Sequence, residues 1–312
     1  MRAVLVPLLL ALVLPAGSVA QYLPDNADYW WLRTDDGVAH YVLELGDPAD
    51  PARTYVVLHG GYGAEHSYLV DMVRPLSKRY RFVLYDQRGS LRSPAPDSSV
   101  TFERLVADLD ALREALELDR LRILAHSNGA NIALDYLGTH PSRVEAVVLL
   151  SPPLSFLHSD PFDASLGELI ELHRKRSEEF NAEVTTAIEA TWRELGLSDP
   201  ESLSSRDRTI RGRVEYAGWH TTDPGSWQAV RNAFFEPAVF TSLQRNVDPE
   251  ARRARTLRKS EAFVGARVPI RVILGDADYV DPDAIVWTGI IGSARDGRLT
   301  VLEGAGHNAW ID

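Results

Sequence analysis

The stretch Leu121-Arg122-Ile123-Leu124-Ala125-His126-Ser127-Asn128-Gly129-Ala130 constrains this chain more than any other. An apolar run of strand character, Leu121 to Ala125, stops at a tight turn centred on Ser127. A helical pattern begins at once, with Ile132, Ala133, Tyr136 and Leu137 on one face. That helix is expected to end near Gly138, with Pro141 just beyond. Strand and helix backbones nearly touch at such a turn, so its neighbours must be small, as Ala125 and Gly129 are. A serine at that apex is a candidate nucleophile. The competing reading is a serine that merely caps the helix.

The segments around this turn decide between the two. Tyr29 to Arg33 and Val38 to Leu45 flank Asp35-Asp36-Gly37, which predicts an opening hairpin. Tyr55 to Leu58 reads as a buried strand running into His59-Gly60-Gly61-Tyr62-Gly63. No Lys-Ser/Thr follows that loop, so it is not a phosphate-binding loop. It is either a plain strand-to-helix turn or half of an oxyanion hole. A helix over Glu65 to Arg79 leads to the strand Phe82 to Tyr85 and then to Asp86-Gln87-Arg88-Gly89-Ser90-Leu91-Arg92-Ser93. Leu105, Leu109, Leu112 and Leu116 place an amphipathic helix over Thr101 to Leu118, and Val144 to Leu150 is a further strand.

From Leu154 to about Arg267 strand-like runs vanish. Helical patterns cover Leu166 to Phe180 and Ala182 to Leu195, with shorter pieces around Trp227 to Phe235. Arg206 to Arg213 and Arg252 to Lys259 read as solvated helix faces rather than anion sites. Alternation then resumes with the strand Pro269 to Leu274, a helix near Ala284 to Ile290 and the strand Leu299 to Leu302. Strands alternating with helices predict a doubly wound, mostly parallel α/β sheet carrying an inserted helical cap. The expected division is 1–20 leader, 21–154 and 268–312 core, and 155–267 cap.

The leader reading rests on Arg2, the apolar run Ala3 to Leu14 and the small residues Gly17-Ser18-Val19-Ala20, which predict export and cleavage before Gln21. That run is too short for a membrane anchor and contains Pro7. No later stretch is long and apolar enough to span, so no membrane span is expected after cleavage. The net charge of −11 argues against nucleic acid, and a chain without cysteine has neither disulfides nor thiolate metal sites. No cofactor and no metal is expected. The expected partner is a small molecule or short peptide.

Ser127, Asp278 and His307 each follow a different predicted strand, in the order Ser…Asp…His. Taken singly, Asp278 could be a turn residue or, with Asp276, Asp281 and Asp283, part of a calcium loop. The spacing lacks the glycine and glutamate of an EF-hand. His307 could be a surface histidine. Together they read as a nucleophile, base and acid triad. Backbone N–H groups of Gly61 and Asn128 are then the candidate oxyanion donors. His126, expected to point away from the serine, reads as scaffold, and Asp86 with Arg88 as a loop-bracing pair.

The loop His59-Gly60-Gly61-x-Gly63, the run Tyr85 to Ser93, the serine turn and Gly304-x-Gly306-His307 together resemble the proline iminopeptidase branch of the α/β-hydrolases. The resemblance implies a serine hydrolase releasing N-terminal residues, often proline, from short peptides. It also implies that the acid ends the turn Gly275-Asp276-Ala277-Asp278, which selects Asp278 over Asp276. Tyr62 stands where that family has proline, Leu91 where it has glycine, and Ala125 heads the turn. Only a short tail follows His307, so fraying there is expected to threaten its placement. An aminopeptidase must bind an ammonium, for which Glu194 and Glu236 in the cap are the candidates, against the alternative that lid arginines satisfy them. Two other functions stay open: a carboxylesterase with the same triad, and a non-catalytic ligand-binding relative.

Overall fold

The computed structural model describes residues 27–47, 51–162, 165–230 and 236–312. The expected leader, residues 1–20, lies outside the described residues, as do Phe234 and Phe235. Strands β1 (Ala27–Arg33) and β2 (Ala39–Leu45) form the expected hairpin, pairing antiparallel from Ala27 opposite Leu45 to Arg33 opposite Ala39. Strand β3 (Thr54–Leu58) follows. The single helix expected over Glu65 to Arg79 is instead broken. It consists of a 3-10 turn at His66–Leu69, a short α1 (Val70–Val73) and a second 3-10 turn at Arg74–Leu76. Pro75 accounts for the break, because it lacks a backbone donor and its ring crowds the preceding turn.

Strand β4 (Arg81–Tyr85) leads to α2 (Phe102–Ala115), whose first turn is capped by Thr101 accepting from Arg104 N at 3.2 Å. Leu105, Leu109 and Leu112 on α2 are buried, as their spacing requires. Next come β5 (Leu121–His126), α3 (Gly129–Thr139) and β6 (Val144–Leu150). Every regular element described before the next strand is helical: α4 (Ser165–Glu194), α5 (Ser205–His220), α6 (Pro237–Arg245) and α7 (Pro249–Val264). The chain closes through β7 (Ile270–Gly275), α8 (Ile285–Ile290) and β8 (Gly297–Leu302).

The strands run in the order β1-β2-β4-β3-β5-β6-β7-β8. Pairing is antiparallel as far as β4 and parallel from β4 to β8. The sheet core is Val56, Val57, Leu58, Ile123, Val147 and Val272, all fully buried. Each such side chain contributes on the order of 2 kcal/mol by leaving water. Parallel order puts the C-terminal ends of β3, β5, β7 and β8 along one rim, where ligands of open α/β sheets bind.

Two expectations about the helical segment need correction. The patterns at 166–180 and 182–195 fuse into the one helix α4, because only Asn181, neither glycine nor proline, stands between them. The arginine-rich stretch of α7 is not a solvated face, since Arg255 and Lys259 are both buried. Arg255 meets Asp135 on α3 and Glu103 on α2, and Lys259 donates to Asn131 on α3, partners that periodicity within α7 does not reveal.

Candidate active site

Ser127 sits between β5 and α3 with φ of 51°, a left-handed conformation costing a non-glycine residue on the order of 1 kcal/mol. Its N–H donates to Leu150 O at 2.9 Å and its carbonyl accepts from Ala130 N at 2.9 Å, so both sides of the turn are held. The packing admits no larger neighbours. A Cβ on Gly60 would stand 2.6 Å from Ser127 Cβ, and one on Gly129 would stand 2.7 Å from Leu58 O.

His307 and Asp278 are buried, with His307 Nδ1 2.8 Å from Asp278 Oδ1. The same carboxylate oxygen accepts from Val280 N at 3.0 Å. Burial pushes the Asp278 carboxyl up, but the His307 imidazole beside it prevails and holds it below its ordinary value. Ser127, His307, Gly61 and Asn128 line one cavity of about 570 Å³. Helix α5 closes it from the cap side through Arg208, Thr209, Gly212, Tyr216 and His220. Among the described residues, no other backbone carbonyl takes the N–H of Gly61 or Asn128.

The His307 ring is boxed by other rings. Its centroid lies 4.6 Å from Tyr279, 4.8 Å from His126 and 5.5 Å from His220. His126 therefore does not point away from the site. It lines the cavity and serves as scaffold through a chain of hydrogen bonds. Gly60 N–H donates to Tyr68 Oη at 2.6 Å, Tyr68 O–H to His126 Nδ1 at 2.8 Å, and His126 Nε2–H to His307 O at 3.2 Å. The carbonyl can only accept, so the His126 proton is on Nε2. Burial keeps that imidazole neutral by pushing its pKa well down. Ser151 Oγ donates to the same His307 carbonyl at 2.9 Å.

The fraying expected near His307 is not found. Asn308 N donates to His220 O at 2.7 Å, Gly306 N to Asp312 Oδ2 at 2.7 Å, and Trp310 packs edge-on against His126. The two carboxylates expected to bind an ammonium are elsewhere. Glu194 is exposed at the end of α4. The Glu236 carboxylate accepts from Ala238 N at 3.1 Å, capping α6, while its backbone N–H donates to Gly63 O. A residue before Pro237 at a helix start is a natural cap, so local structure claims it first. Arg208 is the one Arg or Lys side chain among the described lining residues, and no Asp or Glu lines the cavity with it.

Asp86 and Arg88 do not pair with each other. Asp86 meets His66 at 2.6 Å and Arg92 at 3.3 Å, whereas Arg88 meets Asp108 and Asp36, each at 2.6 Å. Asp276 accepts from Gly304 N, Asp281 accepts from Val286 N and Trp287 N at the start of α8, and Asp283 pairs with Arg176. These three aspartates thus have separate tasks and form no calcium loop. Among the described residues Glu65, His66 and Asp86 have metal-ligand spacing. The Arg92 guanidinium already lies 3.0 Å from Glu65 and 3.3 Å from Asp86, so a fixed cation neutralises them. Tyr68, Tyr216, His220 and Tyr279 are site residues that sequence reasoning missed. The i,i+4 pair Tyr216 and His220, on a helix otherwise rich in arginine, was the available signal.

The class follows from this arrangement and from comparison. The family model of the alpha/beta hydrolase fold matches residues 55–312, and the chain belongs to that family, one of serine hydrolases. Within it, a Streptomyces coelicolor protein named "Probable proline iminopeptidase" is 32% identical over 301 residues, covering 91% of this chain and 86% of that one. The proline iminopeptidase of Heyndrickxia coagulans is 39% identical over 102 residues, a match covering 32% of this chain and 35% of that relative's length. The solved proline iminopeptidase-related protein of Thermus thermophilus shares the fold, with a TM-score of 0.61 at 23% identity over 92% of each chain. The resemblance read from the sequence loops is borne out.

Proposed function

We propose that this serine hydrolase works through Ser127, His307 and Asp278 and releases N-terminal residues from short peptides. The observation that carries the reading is a single cavity lined by Ser127 and His307, with Asp278 hydrogen-bonded behind His307. A serine hydroxyl is a weak nucleophile at neutral pH, so His307 takes its proton as Oγ attacks the carbonyl. The amine leaves with that proton, and an acyl ester remains on Ser127. Water then attacks the ester, with His307 again accepting a proton and returning it to the serine. Asp278 keeps the Nδ1 proton in place and stabilises the imidazolium. The N–H groups of Gly61 and Asn128 stabilise the oxyanion by about 3 kcal/mol per donor.

Peptide rather than ester cleavage is supported by the Streptomyces relative, which aligns along nearly its whole length. A carboxylesterase is the second reading, favoured by a cavity lining that offers Arg208 and no Asp or Glu to an ammonium. Initial rates on a proline arylamide and an aminoacyl ester, each with the amine free and blocked, separate them. The peptidase requires the free-amine arylamide to be turned over and blocking to abolish that turnover. Ester cleavage indifferent to blocking selects the esterase. In either case Ser127→Ala removes activity and labelling by a fluorophosphonate, and unchanged rates in that variant would discard the triad. We further propose export with cleavage before Gln21, which Edman sequencing of the secreted or periplasmic protein tests; a mature chain starting at Met1 refutes it.

A further inference from the structure

A second cavity, of about 330 Å³, shares Asn128 with the catalytic one and is lined by Lys259, Arg255, Arg252 and Asn131. We propose that it binds a small carboxylate bearing an aromatic group. The first argument is charge. Arg258 pairs with Asp135 at 2.6 Å, and Arg255 takes up Glu103 as well as lying 3.4 Å from Asp135. That leaves Lys259 and Arg252 without an ion pair to a described carboxylate, a local excess of cation on a chain whose net charge is −11. Lys259 is buried, and its ammonium, which has three protons to donate, meets the neutral Asn131 Oδ1 at 2.8 Å. A buried cation so poorly compensated is costly unless an anion joins it.

The second argument is shape. Tyr62, Phe102 and Phe240 supply apolar walls, with Tyr62 edge-on to Phe102 at 5.5 Å and Phe240 exposed. Tyr62, from the loop after β3, thus has a place in this cavity. Basic groups and aromatic walls lining one cavity, with the Arg255 guanidinium 4.5 Å over the Phe102 ring, fit an aryl carboxylate better than a bare inorganic anion. The inference does not depend on the proposed triad, because none of these cationic groups is part of it.

The test is calorimetric titration of the full chain with benzoate, its neutral analogue benzamide, and inorganic phosphate. Benzoate is expected to bind the wild type and Ser127→Ala equally, and benzamide at least about tenfold more weakly. Lys259→Met, in which an apolar chain fills the buried position, and Arg252→Gln at an exposed one should each weaken benzoate about tenfold. Arg252→Gln keeps the test decisive should Lys259→Met fail to fold. Benzoate binding that ignores both substitutions, or that disappears in Ser127→Ala, would overturn the proposal, as would its absence from the folded wild type. Phosphate bound more tightly than benzoate overturns the aryl class. Loss of the hydrolase reading through an active Ser127→Ala leaves these outcomes unchanged.

Discussion

At the scale of residues, Asp278 would act in the proposed triad through His307. Its Oδ1 accepts from the imidazole Nδ1, and that bond decides which ring nitrogen carries the proton. Asp278→Asn would present an amide that can donate to Nδ1, leaving Nε2 protonated and unable to accept from the serine. The expected result is a fall in kcat of about 10⁴-fold with KM little altered, the size of effect such a tautomer change has in other triads. Steady-state kinetics decide it, and a fall smaller than about tenfold would remove Asp278 from the triad. The part of the site written locally, a serine between strand and helix with small neighbours, was legible in the sequence. The direction of His126, read as scaffold but expected to point away, was not, because its acceptor, the His307 carbonyl, lies 181 positions along the chain. Strand alternation says which side of a sheet a residue faces, not what meets it there.

At the scale of elements, Arg88 joins three pieces of structure. From the loop after β4 its guanidinium reaches Asp108 on α2 and Asp36 in the turn between β1 and β2. Arg88 and Asp108 are buried, so removing the arginine leaves that carboxylate only the His40 imidazole, 3.4 Å away, as a partner. Arg88→Met is expected to destabilise by about 3–5 kcal/mol, and Arg88→Met with Asp108→Leu by less than the single change, since the stranded charge is gone. Urea unfolding of both variants measures this; a double variant no more stable than the single would show that packing, not charge, holds the junction. Element order was legible because apolar period distinguishes strand from helix. Two things escaped that logic. The fused α4 has no breaker to end it at either expected boundary. Buried Arg255 of α7 is met by carboxylates of α2 and α3, so its burial is a tertiary property.

At the scale of the whole molecule, burial of imidazoles ties stability to pH. His59, His126 and His220 have pKa values pushed down by burial, that of His220 to about 3. Unfolded, each returns to about 6.5. Between those limits the unfolded chain binds more protons than the folded one, so stability is full above about 6.5 and is lost as pH falls towards 3. Asp86 and Asp110 add to the loss at lower pH. Burial pushes both up, but His66 beside Asp86 and the Arg113 bond to Asp110 prevail, holding each at about 2. Their contribution is present above the unfolded value near 3.9 and disappears as pH falls through 2. Asp281 acts in the opposite sense, because burial raises its pKa and its ionised form is the one the fold disfavours. Three imidazoles titrating from 6.5 down outweigh that single carboxyl across the upper part of the range. The melting temperature is therefore expected to hold level from pH 8 to 7, decline from 6.5 to 4, and decline more steeply below 4. His220→Gln, which removes one of these imidazoles while keeping a side-chain N–H donor for Tyr216 O, should flatten the decline between 6.5 and 4. Thermal melts at stepped pH decide the matter, and a melting temperature that rises on acidification through that interval would mean the buried histidines take up protons in the folded state.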